Sequence, residues 1–232
     1  MNRYLVTGAA GFIGASVAHA LLKADCEVVG VDSLNDYYDV GLTQYLLKPL
    51  LDYSRFSFVQ GDLSNGQIVD LLFAQHDFDC VLHLAAQAGG RYSLENPGAY
   101  IQSNIVGFQH LIDACRAKPS AHFVFASSSS VCGNSDREWF SETDPTDTPV
   151  CLYAATKKPN DMVARAYSHL HGLPSTGLRF FSVYGPAGRP DMAHFVFTKA
   201  IVGGTTIQVF NEGQLERAFT YILEWYRDYY QV

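Results

Sequence analysis

The chain has 232 residues, a formal net charge of −7, 48% hydrophobic residues and 17% charged ones. That length suits one large domain, or one domain with a smaller lobe, and the composition excludes a disordered chain. The acidic balance, without a long basic run, argues against nucleic acid and anionic membrane surfaces as partners.

The chain opens on Met1-Asn-Arg-Tyr-Leu-Val6, which reads directly as a strand with no signal-peptide pattern, and no apolar run is long enough to span a bilayer. Five cysteines, an odd number with no Cys-x-x-Cys pair, suggest unpaired thiols and a cytoplasmic protein.

Short β-rich runs are expected at residues 4–7, 27–31, 56–60, 80–84, 122–126 and 176–180, with helices at 12–24, 42–51, 67–73, 99–117 and 153–171. Several strands are continuously apolar, as when helices cover both faces of a sheet. The alternation predicts an α/β fold, a doubly wound parallel sheet of the Rossmann type, over residues 1–181. Beyond it, the turn-rich Gly185-Pro-Ala-Gly-Arg-Pro190, a helix at 193–202 and a strand at 207–210 point to a partial second lobe over 182–232, ending in an aromatic-rich tail.

Gly8, Gly11 and Gly14 lie between the first strand and the first helix. Residues without a Cβ let the backbone approach a pyrophosphate, and the helix N-terminus presents N–H groups to its charge. A plain tight turn would use the same glycines. Asp32 ends the next strand, where a carboxylate accepts hydrogen bonds from the adenosine ribose and repels a 2′-phosphate, favouring NAD over NADP. Asp62 follows the third strand and either reaches the adenine or caps the next helix. Ala85, Ala86 and Gln87 fall at the end of the fourth strand, where a dinucleotide would lie.

Tyr153 and Lys157 are one helical turn apart, which puts both on one helix face. A free tyrosine, with a pKa of about 10, is a poor base at neutral pH, and lowering it by about 3 units requires roughly 4 kcal/mol of differential interaction. A lysine ammonium one turn away supplies part of that. The serine run Ser127 to Ser130 offers a hydroxyl to orient a substrate. His83 reads as a core histidine, and His169 and His171 are too close in sequence to share a helix face, so no metal site is expected.

With these parts in order, the chain resembles the extended short-chain dehydrogenase/reductase superfamily and, within it, the UDP-glucuronate 4-epimerases. The matching segments are Val6-Thr-Gly-Ala-Ala-Gly-Phe-Ile-Gly14, Val31-Asp-Ser-Leu-Asn-Asp-Tyr-Tyr-Asp39, His83-Leu-Ala-Ala-Gln-Ala-Gly89, Arg91-Tyr-Ser-Leu-Glu-Asn-Pro97, Ala126-Ser-Ser-Ser-Ser-Val131, Tyr153-Ala-Ala-Thr-Lys-Lys158, Gly177-Leu-Arg-Phe-Phe-Ser-Val-Tyr-Gly-Pro186 and Gly188-Arg-Pro-Asp-Met-Ala193.

The resemblance implies NAD as cofactor, with contacts from Phe12, Ile13, Asn35, Leu63, Leu84, Asn104, Ser127 and Phe180 besides the residues above. It implies a UDP-sugar substrate, Tyr153 as the group that moves the 4-hydroxyl proton, and Ser128 as the catalytic serine. Arg91, Ser129, Ser130, Ser182 and Arg189 become candidate substrate contacts, Arg189 able to take a uronate carboxylate through two parallel bonds. Arg217 matches an arginine that contacts the diphosphate. The long helices at 99–117 and 153–171 could form a homodimer interface. Similar dehydratases carry an acidic pair where this chain has Ser129 and Ser130, so elimination lacks its carboxylates and 4-epimerisation is the simpler chemistry. The chain also departs from that pattern. It stops short of a full substrate lobe, Cys132 and Gly90 replace a tyrosine and a valine, and Pro159 is expected to bend the helix that carries Tyr153. The alternative is an NAD-binding module, or a fragment of such an enzyme, without turnover.

Overall fold

The computed structural model describes residues 1–118, 122–133, 140–209, 211–214 and 218–224. It divides into two compact units, Met1–Phe180 and Phe181–Val232.

In the first unit, six strands form one sheet: β1 (Arg3–Thr7), β2 (Glu27–Asp32), β3 (Phe56–Gln60), β4 (Cys80–His83), β5 (His122–Ser128) and β6 (Ser175–Phe180). Their order is β3-β2-β1-β4-β5-β6, and every neighbouring pair is parallel. The chain reverses direction across the sheet between β1 and β4, and a crevice opens at the strand ends on such a switch point.

The helices α1 (Phe12–Lys23), α2 (Val40–Leu51), α3 (Gly66–Gln75), α6 (Gly107–Ala117) and α7 (Leu152–His171) flank the sheet. Between α3 and α6 lie two short helices, α4 (Tyr92–Glu95) and α5 (Pro97–Tyr100). The inner strands β1, β2, β4 and β5 are largely buried, which is why their middles read as apolar runs, whereas the edge strands β3 and β6 are only partly covered. Leu5, Val29, Val31, Val81, Phe123 and Phe125 share one core with Val69 and Leu72 of α3, Phe108 and Leu111 of α6, and Ala164 of α7.

Two expectations need correction. Residues 99–117 are not one regular helix: α5 leads into a π-helical stretch, Ile101–Val106, before α6 begins. Within that stretch, the Asn104 side chain bonds to the main chain of Gln87. α7 runs unbroken from Leu152 to His171 with Pro159 inside it, so the proline does not end the helix that carries Tyr153. The described part of the strand expected at 207–210, residues 207–209, is loop, and Phe210 lies outside the described residues.

The second unit instead pairs β7 (Ser182–Tyr184) with β8 (Phe219–Tyr221), in parallel register, and contains α8 (Ala193–Val202). Tyr184, His194 and Phe219 meet edge-on there. Among the described residues, no helix is long and apolar enough to cross a membrane.

Candidate active site

The turn after β1 is built from contacts that exclude side chains. Gly8 has φ +70°, and a Cβ on it would sit 2.9 Å from the Ala85 nitrogen. A Cβ on Gly14 would lie 1.9 Å from the Gly8 carbonyl oxygen, so α1 could not approach the turn with any larger residue. Gly11 donates to the Gly8 carbonyl at 2.9 Å and is the N-cap of α1, with no side-chain cap of its own. Phe12, Ile13 and Gly14 form the first turn of that helix. The result is an open helix N-terminus behind a glycine cradle, a fit for a dinucleotide pyrophosphate.

Asp32 sits beside this cradle. Its carboxylate accepts from the Ala10 N–H at 3.0 Å and from the Leu34 N–H at 2.9 Å. Burial pushes its pKa above the usual carboxylate range, and the N–H groups of Leu34, Ala10 and Ser33 oppose that. Asn35 accepts from the Tyr37 N–H within the following loop. On the far side of β2, Asp62 accepts from the Ser64 N–H, and Asn65, not Asp62, caps α3. Leu63 is buried, and its carbonyl accepts from His110.

The end of β4 is tied to β1 through Thr7. The Thr7 hydroxyl oxygen accepts from the N–H groups of Leu84 (3.1 Å) and Ala85 (3.0 Å), so its own proton goes to His83 Nδ1, 2.9 Å away. This places the imidazole proton on Nε2, which is buried with no hydrogen-bond partner. His83 is therefore a core histidine with only one nitrogen satisfied. Burial, helped by the Lys157 charge, pushes its pKa down to about 3.

Two residues on, past Ala86, Gln87 is clamped by Asn104. Its N–H donates to Asn104 Oδ1 at 2.8 Å, and its carbonyl accepts from Asn104 Nδ2 at 3.0 Å. The same Nδ2 donates to the Thr156 hydroxyl, which in turn donates to the Tyr153 carbonyl. Asn104 thus acts on the backbone under the site. Thr156 was not singled out by sequence, although it lies between Tyr153 and Lys157 in the motif.

Tyr153 and Lys157 share α7, which is capped by Cys151. Lys157 is 1% exposed and donates from Nζ to the Ala126 carbonyl at 2.9 Å. Burial pushes its pKa down to about 8, against the opposing pull of Asp161. At the end of β5, Ser127 Oγ is buried without a hydrogen-bond partner, as is the Gln87 side-chain nitrogen. Ser128 Oγ accepts from both the N–H and the hydroxyl of Ser130, the latter at 2.8 Å. With its acceptor positions engaged, the Ser128 proton is available to a ligand. Ser129 and Ser130 begin the short helix Ser129–Cys132 that packs against α7. Phe180 ends β6 in register with Ser128.

One unit therefore gathers the glycine turn, Asp32, residues 84–87, Ser127, Ser128, Tyr153 and Lys157. Arg91 starts α4, four residues beyond Gln87. Ser182 and Arg189 belong to the second unit. There Ser182 lies in β7, and Arg189 forms a two-bond ion pair with Asp191, at 3.1 and 2.7 Å. Arg217 lies outside the described residues. All five cysteines are free thiols. Burial pushes the thiols of Cys80, to about 12, and Cys115 upward, away from the reactive thiolate form.

Residues 4–228 match the NAD dependent epimerase/dehydratase family. The chain belongs to this family. It is 50% identical over 222 residues to UDP-glucuronate 4-epimerase 2 of Arabidopsis thaliana, a match covering 94% of this chain and 51% of that protein. The chain thus spans about half the length of this curated plant relative. The crystal structure of UDP-glucuronic acid 4-epimerase from Bacillus cereus, in complex with UDP-glucuronic acid and NAD, superposes with a TM-score of 0.89 at 35% identity. That match covers 97% of this chain and 71% of the Bacillus chain. A dTDP-glucose 4,6-dehydratase from Streptomyces venezuelae, with NAD bound, is also similar, with a TM-score of 0.87 at 28% identity over 97% of this chain and 70% of that one. Backbone likeness therefore does not separate epimerase from dehydratase; side chains must.

Proposed function

We propose that this chain is an NAD-dependent 4-epimerase of a UDP-sugar, interconverting UDP-glucuronate and UDP-galacturonate. The observation that carries this reading is the hydroxyl pair Ser128 and Ser130 next to the helix that holds Tyr153 and Lys157. Elimination of water from a sugar needs a local acid and base, whereas residues 127–130 supply hydroxyls only. The identity to plant and bacterial UDP-glucuronate 4-epimerases supports the sugar.

When bound, NAD supplies a hydride acceptor, and later the donor, at C4 of the sugar. The glycine cradle and the α1 N-terminus receive its pyrophosphate, and Asp32 its adenosine ribose. The orphaned Ser127 hydroxyl and Gln87 amide are buried polar groups that a ligand at the strand ends would satisfy. Ser128 donates its free proton to the sugar 4-oxygen and orients it. Tyr153, as phenolate, takes the 4-hydroxyl proton while the C4–H bond breaks, and returns it once C4–H re-forms on the opposite face. The balance is one proton and one hydride out, and the same two back. Lys157, held in place by the Ala126 carbonyl, lowers the energy of the phenolate.

Incubation of the purified chain with NAD and UDP-glucuronate, followed by proton NMR, tests the reading. Growth of an equatorial H4 signal is expected. An unchanged spectrum from folded, NAD-loaded protein would exclude this conversion and leave an NAD-binding module without turnover.

A further inference from the structure

Tyr100 is fully buried. It ends α5, just before the π-helical stretch, and its side chain reaches in two directions. Its ring meets that of Tyr153 edge-on, with centroids 6.3 Å apart and planes at 75°. Its hydroxyl is shared between the carbonyls of Ala88, at 2.8 Å, and Gly89.

Those carbonyls belong to an irregular segment held almost entirely by side chains. Asn104 holds Gln87, the Tyr100 hydroxyl holds Ala88 and Gly89, and the Ser93 hydroxyl donates to the Gly90 carbonyl at 2.6 Å. Gly89 has φ +95°, a conformation open to glycine and rarely to other residues. The segment delivers Arg91. Tyr100 also continues outward through Tyr92, 6.3 Å away, to Tyr37, 4.6 Å from Tyr92, in the loop that follows Asp32.

We propose that Tyr100 is a positioning residue for the reaction. Its ring sets the Tyr153 phenol, and its hydroxyl fixes the 88–89 backbone that leads to Arg91. Edge-to-face contact with a buried ring restricts the phenol to one orientation on α7, the one facing the same side as Lys157. A buried tyrosine with no partner for its hydroxyl would leave a polar group stranded; here that group tethers a segment lacking helix or strand ladders. The ring half rests on the reading of Tyr153 as the acid–base group; the tether half does not.

The test uses the full chain loaded with NAD, carrying tyrosine labelled with carbon-13 at Cζ and assigned by Tyr153→Phe. The Tyr153 phenol is titrated by NMR, and amide exchange is followed over residues 88–91. Tyr100→Phe keeps the ring and loses the tether. Exchange over 88–91 is expected to rise about five- to tenfold, with the Tyr153 titration unmoved. Tyr100→Met and Tyr100→Leu lose both. Exchange rises as before, and the phenol titration moves up by about one unit, a tenfold loss of phenolate at neutral pH.

Unchanged exchange in Tyr100→Phe overturns the tether. An unmoved Tyr153 titration in a folded aliphatic variant overturns the ring contact. If neither aliphatic variant folds, the phenylalanine arm still decides the tether. A wild-type Tyr153 that titrates at about 10, the ordinary value, overturns the acid–base reading and the ring half with it. The exchange arm is independent of that result, so the two failures are told apart.

Discussion

Lys157 donates from Nζ to the main-chain oxygen of Ala126, 2.9 Å away, and is otherwise sealed from water. The bond holds a cation at the end of the sheet before any ligand arrives. Burial makes this costly. The ammonium falls from an ordinary 10.5 to about 8, which corresponds to about 3 kcal/mol against the charged form in the fold at neutral pH.

Lys157→Met is therefore expected to abolish turnover while raising stability at pH 7 by about 1–3 kcal/mol. The sign follows from the lowered pKa. The wild-type fold gains stability as pH rises from about 8 to the unfolded value of 10.5, where the lysine loses its proton in both states. The advantage of the methionine variant should shrink over that window. Chemical denaturation at pH 7 and pH 10 measures it, and a constant difference would contradict the assignment.

His83 predicts the acid limb of the stability curve. Its imidazole is held neutral, with a pKa pushed down to about 3 from 6.5. The fold is therefore undiminished above the unfolded value of 6.5 and loses stability progressively as pH falls from there toward 3. Asparagine can place an oxygen near Nδ1 to receive the Thr7 proton without titrating. His83→Asn is expected to lower stability at pH 7.5 by about 1–2 kcal/mol through lost packing. It should also flatten the decline between pH 6.5 and 4. Thermal melts across that range give both quantities.

Asp32, proposed to hold the adenosine ribose, is expected to couple cofactor binding to pH. Its carboxyl pKa is raised by burial, so it takes up a proton at a higher pH than an ordinary aspartate would. A protonated carboxyl accepts ribose hydrogen bonds poorly. NAD affinity should therefore weaken on acidification at a higher pH than an ordinary aspartate would give. Asp32→Ala should remove that pH dependence and weaken NAD by about tenfold or more, since hydrogen bonds to a charged group contribute about 1.5–3 kcal/mol. Fluorescence or calorimetric titration of NAD over a falling pH series, compared between wild type and Asp32→Ala, decides this.

The parts of this site legible in sequence are those built from local geometry. The glycine turn, Asp32 at a strand end and the Tyr153–Lys157 spacing each follow from one element and its pitch. What escaped was set by side-chain and strand partners, some distant in sequence and one only two residues away. The π-helical stretch contains Asn104, whose side chain bonds to Gln87, seventeen residues away, a contact that no helical periodicity reveals. The strand expected at 207–210 was an apolar run without a partner in the described residues, and β7 found Phe219–Tyr221 instead. Arg189 carried the right chemistry for a carboxylate, yet a carboxylate two residues on already engages it. Short apolar runs and lone cations do not declare their partners.

Asn104 makes the last prediction quantitative. Its side chain forms three buried hydrogen bonds, two to Gln87 and one to Thr156, and so ties the end of β4 to the helix of Tyr153. Asn104→Ala strands the N–H and carbonyl of Gln87, and is expected to cost about 2–4 kcal/mol. Thr156→Val keeps the shape of the threonine and removes its hydroxyl, for about 1 kcal/mol. Because the two share a bond, their effects should not add. A double-mutant cycle in urea is expected to give a coupling of about 0.5–2 kcal/mol. Strict additivity would mean that Asn104 supports Gln87 alone and does not help to hold the helix that carries Tyr153.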